Sequence, residues 1–191
     1  SNYLYGIAAV SSNNVYAVGM YMTNPGYTMQ TLIEHWNGTQ WSVIASPNVG
    51  TIASGLKGVS VVSANNIWAV GSYGAQPAGQ TLVEHWNGSQ WNVVSSPKVG
   101  SGANALLAIK AISATNIWAV GYSTISSSSN VTQTLIEHWN GTQWSVTSSS
   151  SPGTYRNSLN GIARVPGTSH VWSVGYFDNG SRGQTLTEHY C

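Results

Sequence analysis

The chain has 191 residues, of which only 6% are charged, and its formal net charge is +1 at neutral pH. So few cations leave no basic surface for the phosphates of a nucleic acid or for an anionic membrane, so we expect neither partner. Its apolar runs are far shorter than the roughly 20 residues of a membrane span, so we also expect no membrane insertion.

The polar residues are mainly Ser, Thr, Asn, Gln and Gly. A surface that is rich in hydroxyl groups and poor in charge favours a secreted or cell-surface location. The first residue is Ser1 rather than a methionine, so we expect that a leader was removed or that the amino terminus was trimmed. Cys191 is the only cysteine, which excludes an internal disulfide and leaves a thiol that either bridges to another molecule or is inert.

One sequence pattern returns four times along the chain. It reads QTLIEHW at residues 30–36, QTLVEHW at 80–86, QTLIEHW at 133–139 and QTLTEHY at 184–190. A second pattern, typified by IWAVG, ends each time in a glycine, and these are Gly19, Gly71, Gly121 and Gly175. A period of about 50 residues marks a solenoid, propeller or array, in which each repeat buries its apolar surface against the next. We therefore predict a single repeat domain over residues 1–191, with repeats at approximately 4–47, 56–97, 105–152 and 159–191.

Each of the first three repeats contains four short apolar segments rich in Val, Ile, Thr and Trp, a composition typical of strands. An Asn-Gly dipeptide separates the third and fourth segments at Asn37, Asn87 and Asn140, and it predicts a hairpin because both residues accept a positive φ. The second segment is apolar on both faces, so both faces of each sheet must be covered. The sequence thus predicts an all-β protein built of about four β-propeller-type blades, each of four antiparallel strands, with an incomplete last blade.

The chain resembles the kelch and related bacterial propeller repeats. It is most similar to the tandem W-A-V-G and E-H-W-N-G repeats of secreted bacterial propellers, a family largely without assigned activity. These motifs cover the whole chain. The chain lacks the Gly-Gly doublet of kelch, the Gly-His and Trp-Asp pairs of WD40 and the Asp-box of sialidase-type propellers, so no functional residue of those families can be carried over.

A Glu-His pair occurs in the third segment of every repeat. Adjacent residues of a strand point to opposite faces, so a Glu cannot orient its own neighbouring His for catalysis. The fourfold recurrence favours a structural hydrogen-bonding role over a ring of metal ligands or a catalytic role. We therefore predict no catalytic residue, no metal and no cofactor. The pairs are Glu34 and His35, Glu84 and His85, Glu137 and His138, and Glu188 and His189.

The aromatic residues divide into those inside and those outside the repeat pattern. All nine tryptophans occupy repeat positions, where we expect them to fill the space between blades. They are Trp36, Trp41, Trp68, Trp86, Trp91, Trp118, Trp139, Trp144 and Trp172. Other aromatics fall at or near loops of variable length on one side of the blades, and they form our candidate ligand face: Tyr27, Tyr73, Tyr122, Tyr155 and Phe177. The serine runs 126–129 and 148–151 predict segments that are flexible or O-glycosylated.

The fourth repeat stops at Cys191, directly after its third strand. Its outer edge carries no Lys or Pro to discourage pairing, so we regard it as a candidate assembly edge. The residues of this edge are Thr185, Leu186, Thr187, Tyr190 and Cys191. We expect the chain to associate with copies of itself as a larger ring or a filament, or to be the carboxy-terminal part of a longer propeller. A compact monomer is the alternative.

The function that we expect is non-enzymatic: an extracellular structural or adhesive protein that acts by self-assembly or by binding proteins. A lectin-like propeller that binds surface glycans is the alternative. A glycan-active enzyme comes third, because a two-carboxylate site would have to add a repeat Glu to Asp178, the only other acid.

Overall fold

The computed structural model describes residues 1–23, 26, 28–50, 52–75 and 77–191. Strands and tight turns make up the regular structure of these residues. The strands are β1 (Asn2–Ser11), β2 (Asn14–Met22), β3 (Met29–Trp36), β4 (Trp41–Ile44), β5 (Ser54–Ser63), β6 (Asn66–Tyr73), β7 (Gln80–Trp86), β8 (Trp91–Val93), β9 (Asn104–Ser113), β10 (Asn116–Thr124), β11 (Thr132–Trp139), β12 (Trp144–Thr147), β13 (Arg156–Arg164), β14 (Val171–Asp178) and β15 (Gly183–Tyr190).

Each repeat folds as one antiparallel sheet in which chain neighbours pair. Blade 1 is β1-β2-β3-β4, blade 2 is β5-β6-β7-β8, blade 3 is β9-β10-β11-β12, and blade 4 has the three strands β13-β14-β15. The first strands of consecutive blades pack together, β1 on β5, β5 on β9 and β9 on β13. The predicted all-β propeller-type fold with a shorter last blade is confirmed.

The Asn-Gly hairpins between the third and fourth strands have a common geometry. Trp36 pairs with Trp41, which leaves a loop of residues 37–40. The Asn37 side-chain oxygen accepts hydrogen bonds from the backbone N–H of Thr39 and Gln40, both at 3.0 Å, and Gly38 has a φ of 96°. The positive φ is the reason that glycine follows asparagine here.

The glycine that ends the IWAVG pattern marks a close approach of the first and second strands. A Cβ added to Gly121 would lie 2.0 Å from the carbonyl oxygen of Ala105, and the equivalent glycines of the other blades are as tightly confined. Directly opposite, the first strand carries a β-bulge: Leu106 pairs with Gly121 and Ala108 with Val120, so Leu107 is an extra residue. The extra residues of the four blades are Tyr5, Lys57, Leu107 and Asn160.

The first strand begins earlier than predicted. We expected it to start at Leu4, but β1 begins at Asn2 because its pairing with β2 continues as far as Tyr21. The close approach at the glycine and the bulge both lie within this extended ladder.

The core consists of three apolar layers, one at each junction between neighbouring blades. Leu56 and Tyr16 belong to the layer between blades 1 and 2, Leu106 and Trp68 to the next, and Leu159 to the last. Burial of such layers is the main force that holds one blade against the next.

The close approach at the repeat glycine predicts the effect of adding one methyl group. Gly121→Ala should lower the free energy of unfolding by about 1 to 3 kcal/mol, because β9 and β10 must separate to admit the new Cβ. Gly183→Ala is the matched control, since an added Cβ there meets nothing within 4 Å. Urea unfolding of the two variants measures the difference. Equal stability of both variants would contradict this role of the glycine.

Candidate functional site

The histidines of the Glu-His pairs hold neighbouring strands of one blade together. His85 Nε2 lies 3.0 Å from the side-chain oxygen of Asn66 on the adjacent strand, and its ring stacks on Trp68 with centroids 4.3 Å apart. His35 and His138 make the same contacts with Asn14 and Asn116. Burial lowers the pKa of His85 and of His138, so both rings favour the neutral form.

Blade 4 departs from this pattern. His170 replaces the asparagine, and its Nδ1 lies 2.8 Å from Nε2 of His189, whose ring packs on Trp172. Two imidazoles do not make a metal site. Within the described residues, no group of three or more His, Cys, Asp or Glu side chains is placed to hold a metal ion.

The glutamates of the same pairs point to the opposite face, toward the preceding blade. Glu84 and Glu137 are fully buried. Glu84 accepts a hydrogen bond of 2.8 Å from Ser46 of blade 1, whereas neither carboxyl oxygen of Glu137 has a hydrogen-bond partner among the described residues. Burial raises the pKa of each of these two carboxyls to about 8. The hydroxyl of Thr81 lies near Glu137 and offsets part of the rise in the pKa of its carboxyl. The same hydroxyl is hydrogen-bonded to Ser96 at 2.6 Å.

The Glu188 carboxylate of blade 4 is bound more fully. It accepts hydrogen bonds from the backbone N–H of Ser150, at 2.8 Å, and from the Tyr190 hydroxyl. Burial, together with that hydrogen bond and the charge of Glu188, raises the pKa of the Tyr190 phenol. Glu84 and Glu188 therefore each tie their blade to the loop that leaves the blade before it.

The second serine run, residues 148–151, makes side-chain hydrogen bonds to the third strand of its own blade, and its flexibility or O-glycosylation stays a prediction. Ser149 and Ser151 both lie within hydrogen-bond distance of the Thr134 hydroxyl, at 2.6 and 3.0 Å. The same contact recurs between Thr31 and Ser46 and between Thr81 and Ser96. This recurrence at a spacing of 15 residues was a readable sequence signal that we did not use.

Three tryptophans, Trp36, Trp41 and Trp172, do not lie between blades as we predicted, and two of them are strongly exposed. Trp41 and Trp172 are 44% and 48% exposed, although we expected all nine to fill the space between blades. Their counterparts are covered because a neighbouring blade packs on them: Trp68 contacts both Trp139 and Trp144 of the next blade, at 4.9 and 5.7 Å between ring centroids. Trp41 and Trp172 lie on the two sheet faces that no other blade of the chain covers.

The uncovered face of blade 1 contains Leu4, Ile7, Trp36 and Trp41, and we call it the amino-terminal face. Leu4 is 48% exposed, whereas its counterpart Leu56 is 0% exposed against blade 1. The uncovered face of blade 4 contains Trp172 and Val174, and we call it the carboxy-terminal face. Their counterparts Trp68 and Val70 in blade 2 are buried.

The residues of the candidate ligand face do not converge on one site. Tyr73 and Phe177 pack against the layers between blades, and the Tyr73 hydroxyl donates to the side-chain oxygen of Gln80. The Arg156 guanidinium lies over the ring of Tyr155, 5.3 Å from its centroid. Tyr122 lines a groove that is described below. Tyr27 lies outside the described residues.

The candidate assembly edge is the strand β15, which pairs with β14 on one side. Thr185 and Thr187 are exposed, whereas Leu186 is buried against blade 3. The Tyr190 ring contacts Trp118 of blade 3 at 5.4 Å between centroids, and the Cys191 thiol is free and exposed.

Two grooves of the same construction lie at the end of the molecule that carries the long loops. The blade 1/2 groove has a volume of about 380 Å³ and is lined by Met20, Met29, Ala53, Lys57 and Ser72. The blade 3/4 groove has a volume of about 480 Å³, and equivalent repeat positions supply Tyr122, Thr132, Arg156, Asn160 and Tyr176 to it. Lys57 and Asn160 are the extra residues of the bulges. Sequence reasoning missed them because strict strand alternation fails at a bulge.

Comparison with known proteins identifies the fold. No family model matches the chain, and a search of the curated proteins finds no match. A fucose lectin from Kordia zhangzhouensis, solved in complex with methyl-fucoside, is 15% identical with a TM-score of 0.50, and the match covers 76% of this chain and 98% of the lectin. YCF48 bound to D1 peptide is also 15% identical, with a TM-score of 0.43, and that match covers 90% of this chain and 60% of YCF48. The likeness to the lectin supports a β-propeller-like fold.

The described part of the chain holds no helix with the length and apolar character that a membrane crossing requires.

The buried Glu137 carboxyl predicts a dependence of stability on pH. Between pH 4.5, the ordinary pKa of a glutamate, and about pH 8, the folded protein retains a proton that the unfolded chain has released. Stability should therefore fall as the pH rises through this window, by up to about 1.4 kcal/mol per pH unit for each such group. Glu137→Gln removes the titrating group, so the free energy of unfolding should fall less steeply with pH in this variant. The titration of Glu84 should cause the fall that remains.

Urea unfolding at pH 5 and at pH 8.5 measures this effect. Glu34→Gln, at the equivalent and only half-buried position of blade 1, is the control and should leave the fall in place because Glu84 and Glu137 both remain. A Glu137→Gln variant that loses stability with pH as steeply as the wild type would show that Glu137 is ionised at neutral pH.

Proposed function

We propose that this chain is a non-enzymatic assembly module that joins copies of itself end to end. One observation carries the proposal: the amino-terminal and carboxy-terminal faces are the two halves of the junction that recurs between blades. Exposed apolar surface of this kind marks a site of interaction. The partner that fits each face is the other face of a second copy.

The interior junctions show how such a contact is built. Trp68 of blade 2 packs on the tryptophan pair Trp139 and Trp144 of blade 3. The rings of that pair lie 5.9 Å apart at an interplanar angle of 45°. Trp36 and Trp41 of the amino-terminal face have the same separation and the same angle. The amino-terminal face is therefore already shaped to receive an aromatic side chain such as Trp172.

The surrounding residues support the same contact. Leu4 and Ile7 are of the type that buries against the preceding blade elsewhere, as Leu56 and Val59 do. Low charge adds little repulsion between copies, since the net charge is +1. Because the two faces differ, the contact is heterologous, and it produces a ring if the rotation closes and a filament if it does not.

The setting that we propose is extracellular, as in the kelch-like secreted bacterial propellers that the repeats resemble. The support is the hydroxyl-rich surface with 6% charged residues. An adhesive role in which assembled copies present their loops to surface proteins or glycans follows from this arrangement. We also propose that the chain is not an enzyme, because each glutamate of the repeat points away from its histidine, between blades.

Two variants that each block one face test the assembly. Trp41→Glu disables the amino-terminal face and Trp172→Glu the carboxy-terminal face. Each should weaken association by about 2 kcal/mol or more, roughly thirty-fold, because an aromatic anchor of the contact is lost. Mixed together, the two variants should form a one-to-one dimer and nothing larger, since one intact pair of faces remains. Sedimentation velocity measures the size of the particles formed by each variant alone and by their mixture.

Ile125→Glu is the control, because Ile125 is an exposed apolar residue on a loop away from both faces. It should assemble like the wild type. A wild-type chain that stays a 20.2 kDa monomer at every concentration, or a mixture of the two blocked variants that fails to pair, would overturn the proposal.

A further inference from the structure

We propose that the blade 3/4 groove is a binding site for a saccharide unit, held through its hydroxyl groups. This site is independent of the end-to-end assembly proposed above. Its volume of about 480 Å³ lies within the range of small-ligand sites, and the groove opens on the side of the molecule that carries the variable loops.

The groove lining combines planar aromatic rings with many uncharged polar groups. Tyr122 and Tyr176 supply the rings, Asn160 an amide, and Arg156 a planar fork of N–H donors. The remaining polar groups are mainly Ser and Thr hydroxyls, among them Thr124 and Ser158. A saccharide matches this mixture because it offers hydroxyl groups at its rim and C–H groups on its ring faces.

Other classes of ligand fit the groove less well. No carboxylate is among its lining residues, so a divalent cation would find no charged ligand. Arg156 is its only cationic lining residue, which is too few for a polyphosphate or a nucleic acid. The negative charge of Asp178, which faces Arg156 across the strand ladder, offsets that cation. Recognition therefore rests on hydroxyl groups rather than on ligand charge.

One wall of the groove is held rigid before any ligand arrives. The Thr132 hydroxyl donates to the backbone carbonyl of Asn157 and accepts from its backbone N–H, both at 2.9 Å. The buried Asn157 amide donates to the carbonyls of Thr132 and Gly153. Ser158 donates to the side-chain oxygen of Asn160 at 2.7 Å, which orients the Asn160 amide. Such preorganisation reduces the entropy lost on binding.

The blade 1/2 groove shows that the fold does not require this chemistry. Met20, Lys57 and Ala53 occupy its positions equivalent to Tyr122, Asn160 and Arg156. The Lys57 Nζ is also occupied elsewhere, 3.4 Å from the centroid of the Tyr5 ring. Two grooves with the same backbone thus differ in their side chains, and the repeat architecture alone does not explain the polar and aromatic lining between blades 3 and 4.

The bulge explains why the residue at position 160 can differ from its counterpart Lys57 in the blade 1/2 groove. In blade 4, Leu159 pairs with Gly175 and Gly161 with Val174, so Asn160 is set apart from the alternation of its strand. The flanking Leu159 is fully buried in the layer against blade 3, as Leu56 and Leu106 are in their layers. The extra residue is therefore free to vary from blade to blade, and bulges commonly re-aim a side chain toward a functional site.

The test exchanges groove residues between repeats. Tyr122→Met, Asn160→Lys and Arg156→Ala each introduce the residue that the blade 1/2 groove carries at the same position, so the fold should tolerate them. A glycan array followed by titration calorimetry, with neutral methyl glycosides and uronic acids as probes, measures binding. We expect the wild type to bind at least one of these saccharides and each exchange to weaken that binding at least tenfold.

Two controls separate this site from the assembly and from unfolding. Lys57→Asn, the reverse exchange in the blade 1/2 groove, should bind like the wild type, and so should Trp41→Glu, which blocks assembly. Thermal unfolding checks that each variant is folded. Absence of binding to every saccharide tested, or binding that survives all three exchanges in folded protein, would overturn the proposal, whether or not the chain assembles.

Discussion

Every blade of this protein has two apolar faces, and each face must be covered by another sheet. The second strand imposes this condition, because residues such as Ile67, Val70 and Ala69 are buried on both of its sides. Stacking of blades meets the condition at three junctions, where a buried leucine of the first strand recurs and aromatic side chains of the outer strands pack against the preceding blade. At the ends of the stack the same residue types remain exposed, and these are the faces through which we propose that copies assemble.

The sequence predicted this architecture because each repeat carries the residue pattern of one blade. The Asn-Gly turns, the four short segments and the period of about 50 residues led to antiparallel blades without any further information. The bulges were not predictable by alternation, because a register shift is set by the close approach at residues such as Gly121, not by polarity. For the same reason Asn160 was missing from the predicted ligand face, whereas Arg156 was missed because β13 begins at Arg156, before the repeat that we predicted to start at about residue 159. Trp41 and Trp172 were placed wrongly because a repeat pattern does not reveal which copy stands at an end.

The repeated and the variable positions have different roles in the molecule. Repeated residues such as His85 and Glu84 connect strands and blades. Variable residues line the grooves, where the backbone is fixed by its neighbours but side chains are free to change. A rigid stack with changeable grooves suits recognition, and an end-to-end contact would multiply the number of such grooves in one particle.

The most direct test of the central claim compares solvent protection of end and interior tryptophans. Hydroxyl-radical footprinting over a range of protein concentrations reports on Trp41 and Trp172, with the buried Trp68 and Trp144 as internal references. If the end faces cover each other, Trp68 and Trp144 will be protected at every concentration, whereas Trp41 and Trp172 will become protected together as the concentration rises. Labelling of Trp41 and Trp172 that stays constant across the whole range would show that the two faces remain open and that the chain does not assemble through them.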